Sequence, residues 1–132
     1  MGNENYKVAD ISLAEKGREA LYIASRKMPV TNDIIRKRFE KEKPLEGIKI
    51  AGCLHVTKET GILCRTLIAA GAEVYMSGSN PLSTQDDVAA AMAEEGVHVF
   101  AWHGNTDEEF YWNCDVIAGH TKHACCGNNI FR

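Results

Sequence analysis

Apolar positions along this chain follow one period before Gly47 and another after it. In the first stretch Leu13, Ala20, Leu21 and Ile23 fall on one helical stripe. Asp10 or Ser12 can cap that helix, and Lys27-Met28-Pro29 ends it, because proline cannot continue a helix. A second, highly charged helix is predicted from Asn32 to Lys43, stopped by Pro44. From Gly47 short apolar runs alternate with amphipathic segments. Residues 47–53, 73–77 and 97–102 read as strands. Residues 58–70, a segment from Ser83 or Thr84 to Glu95, and one opening at Thr106-Asp107-Glu108-Glu109 read as helices, with Gly71 and Gly96 as stops. That alternation with short turns predicts an α/β domain of three layers, a parallel sheet of about three βα units with right-handed crossovers, preceded by the two N-terminal helices. Both of those helices are expected to lie peripheral to the sheet. All strand C-terminal ends then face one edge, which carries His55, Asn80 and His103. From Gly119 neither period continues. Residues 1–118 are therefore expected to form the domain and 119–132 a tail of different character.

Composition narrows the class. At 132 residues the chain is long enough for one domain with a real core, and 45% hydrophobic with 25% charged residues is ordinary for a soluble globular protein. A net charge of −3 gives no reason to expect nucleic acid or an anionic membrane as partner. The polar start Met1-Gly2-Asn3-Glu4-Asn5 does not resemble a secretory leader, and Tyr6 breaks the myristoylation-like string begun by Gly2. Five irregularly spaced cysteines without such a leader read as thiols of a cytoplasmic protein. Cys53, Cys64 and Cys114 fit apolar faces and are expected to be buried.

The candidate chemistry is densest in Gly52-Cys53-Leu54-His55-Val56-Thr57-Lys58-Glu59-Thr60, a strand-to-helix turn of the kind where open α/β sheets build ligand sites. It is not a phosphate cradle. The turn lacks the three glycines of a dinucleotide fingerprint and the Gly-Lys-Ser/Thr of a P-loop, and the Glu59 carboxylate would repel a pyrophosphate. What it offers is recognition of a neutral polar ligand, with His55 able to exchange protons near neutral pH. A blander reading stands beside each residue. His55 can simply brace the turn, while Thr57 and Glu59 can be a helix cap and a first-turn acid favoured by the dipole. Asn80-Pro81 is a turn dipeptide and Ser83 an N-cap candidate. Trp102, His103 and Gly104 are site wall or plain loop. His120, His123, Cys125 and Cys126 invite a zinc reading, but adjacent cysteines make awkward tetrahedral geometry, and no metal is expected.

Linked blocks carry a family resemblance. Residues 6–14 (Tyr-Lys-Val-Ala-Asp-Ile-Ser-Leu-Ala), 51–60, Gly71-Ala72-Glu73-Val74, Ser83-Thr84-Gln85-Asp86 and Thr106-Asp107-Glu108-Glu109 resemble, in order and spacing, the N-terminal part of the substrate-binding domain of S-adenosylhomocysteine hydrolase, across roughly residues 5 to 118. The resemblance implies a Rossmann-like sheet, incomplete relative to the family domain. It implies a cytoplasmic hydrolase family of one-carbon metabolism that uses tightly bound NAD to hydrolyse S-adenosyl-L-homocysteine reversibly to adenosine and L-homocysteine. By the same resemblance His55 is catalytic, moving protons for the departing sulfur and the incoming water. Thr57 and Glu59 would meet the adenine edge, where an acceptor-only carboxylate suits the exocyclic amine and disfavours hypoxanthine. Asn80 and Ser83 would lie toward the leaving group, and Gln85 matches a position that can hold a monovalent cation.

No Gly-x-Gly-x-x-Gly occurs in the 132 residues, so NAD belongs to the full-length family and is not expected to bind this chain alone. The tail is expected to be the out-of-frame end of a truncated or frame-shifted copy. Two classes remain open on these grounds. One is a hydrolase fragment contributing the adenosine-side pocket, inactive alone. The other is a non-catalytic module that binds adenosine or pairs with itself or a full-length homologue. A sheet with a missing neighbour strand is expected to leave an apolar edge that self-associates.

Overall fold

A computed structural model describes residues 5–120 and 124–126 of the chain. Asp10 caps the first turn, its Oδ1 accepting from the Ser12 amide at 2.9 Å, and a single 3₁₀ turn (Ile11–Leu13) leads into α1 (Ala14–Lys27). The buried stripe of α1 is Ala14, Gly17, Leu21 and Ala24. Ile23, expected on that stripe, is 51% exposed, because the small residues at 14, 17 and 24 set the contact face one position away. A wider π-helical turn (Val30–Ile35) precedes α2 (Arg36–Glu42), which ends with Lys43 in a left-handed conformation just before Pro44.

Then come β1 (Lys49–Cys53), α3 (Lys58–Ala69), β2 (Glu73–Ser77), α4 (Asp86–Glu94), β3 (His98–Phe100), α5 (Asp107–Gly119) and β4 (Ala124–Cys126). All pairings are parallel, in the order β3-β2-β1-β4. β1 and β2 share five register pairs, from Lys49 opposite Glu73 to Cys53 opposite Ser77. Gly71 takes φ +94° and turns the chain out of α3, the stop its position predicted. The parallel α/β architecture expected from the sequence is present. One expectation fails: the stretch beyond Gly119, read as lacking strand character, contributes β4, whose Ala124, Cys125 and Cys126 pair with Ala51, Gly52 and Cys53. A parallel partner on a buried sheet needs only backbone in register, so three residues suffice where side-chain periodicity is unreadable.

Strand alternation feeds two faces. Val74, Met76 and Val99 join Leu21, Ile62, Val88 and Met92 in the main core under α1, α3 and α4. Ala51, Tyr75 and Phe100 face the other way, against Ile117 of α5, with Cys53, Phe110 and Cys114 packed alongside. The Cys53, Cys64 and Cys114 side chains are buried, as expected. Tyr75 is also sandwiched between the rings of His98 and His120, with centroids at 4.4 and 4.7 Å. The outer edge of β3 is met by the N-terminal segment: the Lys7 amide donates to the Val99 carbonyl (2.7 Å) and Ala101 N–H to the Lys7 carbonyl (3.1 Å). Lys7 Nζ lies over the rings of Trp102 and Trp112, at 4.7 and 4.9 Å from their centroids.

Candidate functional site

β1 has its chain successor β2 on one side and β4 on the other, so connections leave it in opposite directions. Such a reversal opens a crevice at the carboxyl ends of the strands, and the turn after β1 borders it. The loops along that edge are tied together. Leu54 N–H donates to the Ser77 carbonyl (3.1 Å), Gln85 N–H to the Val56 carbonyl (2.9 Å), and Gly104 N–H to the Pro81 carbonyl (2.7 Å). Asp86 Oδ1 accepts from the His103 amide at 2.8 Å. The exits of β1, β2 and β3 therefore form one connected rim.

His55 is exposed on this rim. Its carbonyl is pinned by the Thr60 hydroxyl (2.6 Å) and the Thr57 amide (3.0 Å), and its ring Nδ1 lies 2.9 Å from Ser79 Oγ in the β2 exit loop. Thr57 occupies the N-cap position of α3 in extended conformation (φ −122°, ψ 169°), yet its side chain makes no cap hydrogen bond. Its hydroxyl makes no helix-capping bond among the described residues. Glu59 is exposed in the first turn of the same helix.

Asn80 is half-buried, and its Oδ1 accepts from the Leu82 amide at 2.9 Å, an Asx turn that shapes the loop. Its side-chain amide nitrogen is thereby aimed by a braced loop. Ser83 does not cap α4: its Oγ is buried and has no hydrogen-bond partner among the described residues. The cap position falls to Gln85, because the bond from its amide to Val56 holds it extended (φ −90°, ψ 108°) for two residues beyond the expected start. The Gln85 side chain is exposed and makes no cap bond. It borders a mixed groove of about 400 Å³, with Lys16, Lys58, Asp86 and Asp87 beside apolar Leu13 and Ala20. The structure thus places His55, Thr57, Glu59, Asn80, Ser83 and Gln85 on one rim and links His55 to the Asn80 loop and Gln85 to the β1 turn. Among the described residues His103 joins the rim through its backbone amide. Ser79 was not singled out by sequence reasoning; a serine beside an Asn-Pro turn carries no mark of a histidine 24 positions away.

Every helix N-terminus on the rim carries carboxylates in its first turn: Glu59 on α3, Asp86 and Asp87 on α4, and Asp107, Glu108 and Glu109 on α5. They offset the positive end of each helix dipole where a pyrophosphate would need it free. Among the described residues no group of three or more His, Cys, Asp and Glu is placed to hold a metal ion. Of the four tail residues weighed as zinc ligands, His120 stacks on Tyr75, while His123 and the side chains of Cys125 and Cys126 lie outside the described residues. No helix among the described residues is long and apolar enough to cross a membrane.

Comparison with known proteins converges on one family. A family model described as S-adenosyl-L-homocysteine hydrolase matches residues 5–131, through β4 and past the boundary expected at residue 118. An adenosylhomocysteinase of Pyrobaculum aerophilum is 65% identical over 105 residues, covering 80% of this chain and 24% of the relative. One of Sulfolobus acidocaldarius is 53% identical over 119 residues, 90% of this chain and 28% of the relative. An S-inosyl-L-homocysteine hydrolase of Methanopyrus kandleri is 53% identical over 115 residues, 87% of this chain and 27% of the relative. The chain spans about a quarter of the length of the curated relatives it matches. With the match to the family model running through nearly all of its residues, the chain belongs to the S-adenosyl-L-homocysteine hydrolase family.

Proposed function

We propose that these residues form the adenosine-side pocket of an adenosylhomocysteinase, the NAD-dependent cytoplasmic enzyme that interconverts S-adenosyl-L-homocysteine and water with adenosine and L-homocysteine. The observation that carries this is Thr57. A threonine at an N-cap ordinarily spends its hydroxyl on the helix, worth about 1 kcal/mol, whereas here the cap bond is not made. A hydroxyl withheld from its local partner, with the Glu59 carboxylate two residues on, suits a purine edge presenting both a ring nitrogen and an amine. His55 handles the proton for the departing sulfur or the incoming water. Asn80 and Ser83 serve the homocysteine side, and Gln85 a monovalent cation beside the base. Because the acidic helix starts do not suit a pyrophosphate, the 132 residues alone bind the nucleoside without turning it over.

Isothermal titration of the chain with adenosine and with inosine tests this reading. Adenosine should bind and inosine should bind more weakly. Glu59→Ala should cost adenosine about 10- to 100-fold, the range for a hydrogen bond to a charged group. Inosine is the informative competitor, since relatives named for either nucleoside are similar to this chain, at 65% and 53% identity for two adenosylhomocysteinases and 53% for an S-inosyl-L-homocysteine hydrolase. Preference for inosine would transfer the assignment to S-inosyl-L-homocysteine, and no binding of either would overturn the pocket.

A further inference from the structure

The geometry points to Ser79 as the positioning residue that decides which nitrogen of His55 faces the ligand. The inference rests on the reading of His55 as the proton-handling group and goes one step deeper into it. His55 is gripped at two levels. Its main-chain carbonyl takes the Thr60 hydroxyl at 2.6 Å and the Thr57 amide at 3.0 Å, which fixes the backbone from α3. The ring is fixed from a different element: Nδ1 meets Ser79 Oγ at 2.9 Å, across the exit loops of β1 and β2. Nε2 has no partner among the described residues and is the nitrogen left to the ligand.

The direction of the Ser79 bond is set by the hydroxyl's own needs. A serine hydroxyl carries one proton to donate, and among the described residues His55 Nδ1 is the one acceptor within reach of it. With that proton placed on the lone pair of Nδ1, neutral His55 carries its own proton on Nε2. The ligand-facing atom is then a donor, suited to a sulfur or oxygen acceptor. The hydroxyl can rotate and accept instead when Nδ1 is protonated. The charged ring, with Ser79 accepting from Nδ1, gives its Nε2 proton to the ligand and is left neutral with the proton on Nδ1, and Nε2 takes a proton back in the reverse step, so Ser79 holds Nδ1 in the resting ring and in both proton-transfer states.

Nitrogen NMR of the imidazoles in the ¹⁵N-histidine-labelled chain tests the assignment, with His55→Gln identifying the resonances. Wild-type His55, at a pH where the ring is neutral, should show Nδ1 as unprotonated and Nε2 as protonated. Ser79→Ala should pull the two signals toward a mixture of tautomers, and Ser79→Thr, which keeps the hydroxyl, should restore them. His98, whose Nδ1 meets the Asn5 carbonyl at 3.0 Å, is the internal control for the fold. If Ser79→Ala disturbs His98 too, Ser79→Cys gives the same readout with a weaker donor of similar volume. A wild-type Nδ1–H tautomer, or His55 signals unmoved by loss of the hydroxyl while His98 stays in place, would overturn the proposal. A tautomer that moves as expected in a chain that binds no nucleoside would support the Ser79 contact and sink the pocket reading instead.

Discussion

Burial keeps the Cys64 thiol protonated far above its ordinary range, at about 12 against 9.0 for an unperturbed thiol. Between those values the folded chain binds a proton that the unfolded chain has released, so stability is full below pH 9 and falls as pH rises through the window. Urea unfolding from pH 8 to 11 should show this loss, and Cys64→Ala should flatten it. The thiol should also resist thiol-directed reagents at neutral pH until the chain unfolds. Gly17 sits in the opposite situation, valued for what it lacks. A Cβ there would collide with the Asp87 carbonyl oxygen, where α1 crosses α4. Gly17→Ala is therefore expected to destabilise by about 1–3 kcal/mol or more by overpacking, read as a drop in urea midpoint at unchanged slope. Sequence reasoning reached residues whose role is written in their immediate neighbours, such as the cysteines on apolar faces. It did not reach Gly17 or Ser79, whose partners lie in other elements. The exposure of Ile23 has the same origin: helical spacing allows several adjacent stripes, and the surfaces of α3 and α4 select one.

At the scale of elements, local chemistry was legible where both halves of a device lie a few residues apart. Thr106-Asp107-Glu108-Glu109 closes a full capping box: the Glu109 amide donates to Thr106 Oγ1 (3.2 Å), and the Thr106 amide to Glu109 Oε2 (2.8 Å). Thr106→Ala should cost about 1 kcal/mol. Glu109→Ala should cost somewhat less, and the double variant less than the sum, because either change breaks the reciprocal pair. A double-mutant cycle in urea checks this, and strict additivity would show that the box is not acting as a unit. The same local chemistry does not set the start of α4. Ser83 and Thr84 look like caps, but the bond from Gln85 to Val56 arrives from the β1 turn and delays the helix. The candidate site was legible as a set of residues because each comes after a strand. Its stitching was not, since every cross-link joins loops that are distant in sequence.

For the molecule as a whole, strand–helix alternation disclosed the parallel sheet but not its order or its fourth strand. β4 pairs along the flank of β1 away from β2, and the opposite edge at β3 is bridged at Lys7, so a charged side chain guards that edge between two tryptophans. Those are the only tryptophans in the chain, which makes its intrinsic fluorescence a direct report on the segment. Lys7→Ala should change the emission with little loss of stability, since exposed cation–π contacts are worth about 0.5–1 kcal/mol. Unchanged emission would show that Lys7 does not rest on the indoles in solution. The order of the sheet has one more consequence. β1 is zipped to β2 by five register pairs but to β4 by three, and the β4 seam ends at Cys53, two residues before His55. That seam should be the first to breathe, its amides exchanging with deuterated solvent ahead of the β1–β2 amides. Any molecule that settles on the β1 turn and prefers the closed sheet must then slow the exchange of β4 by the same free energy with which the closed sheet strengthens its binding. Deuterium uptake along Ala124–Cys126 would thus meter occupancy at His55 without any catalytic turnover.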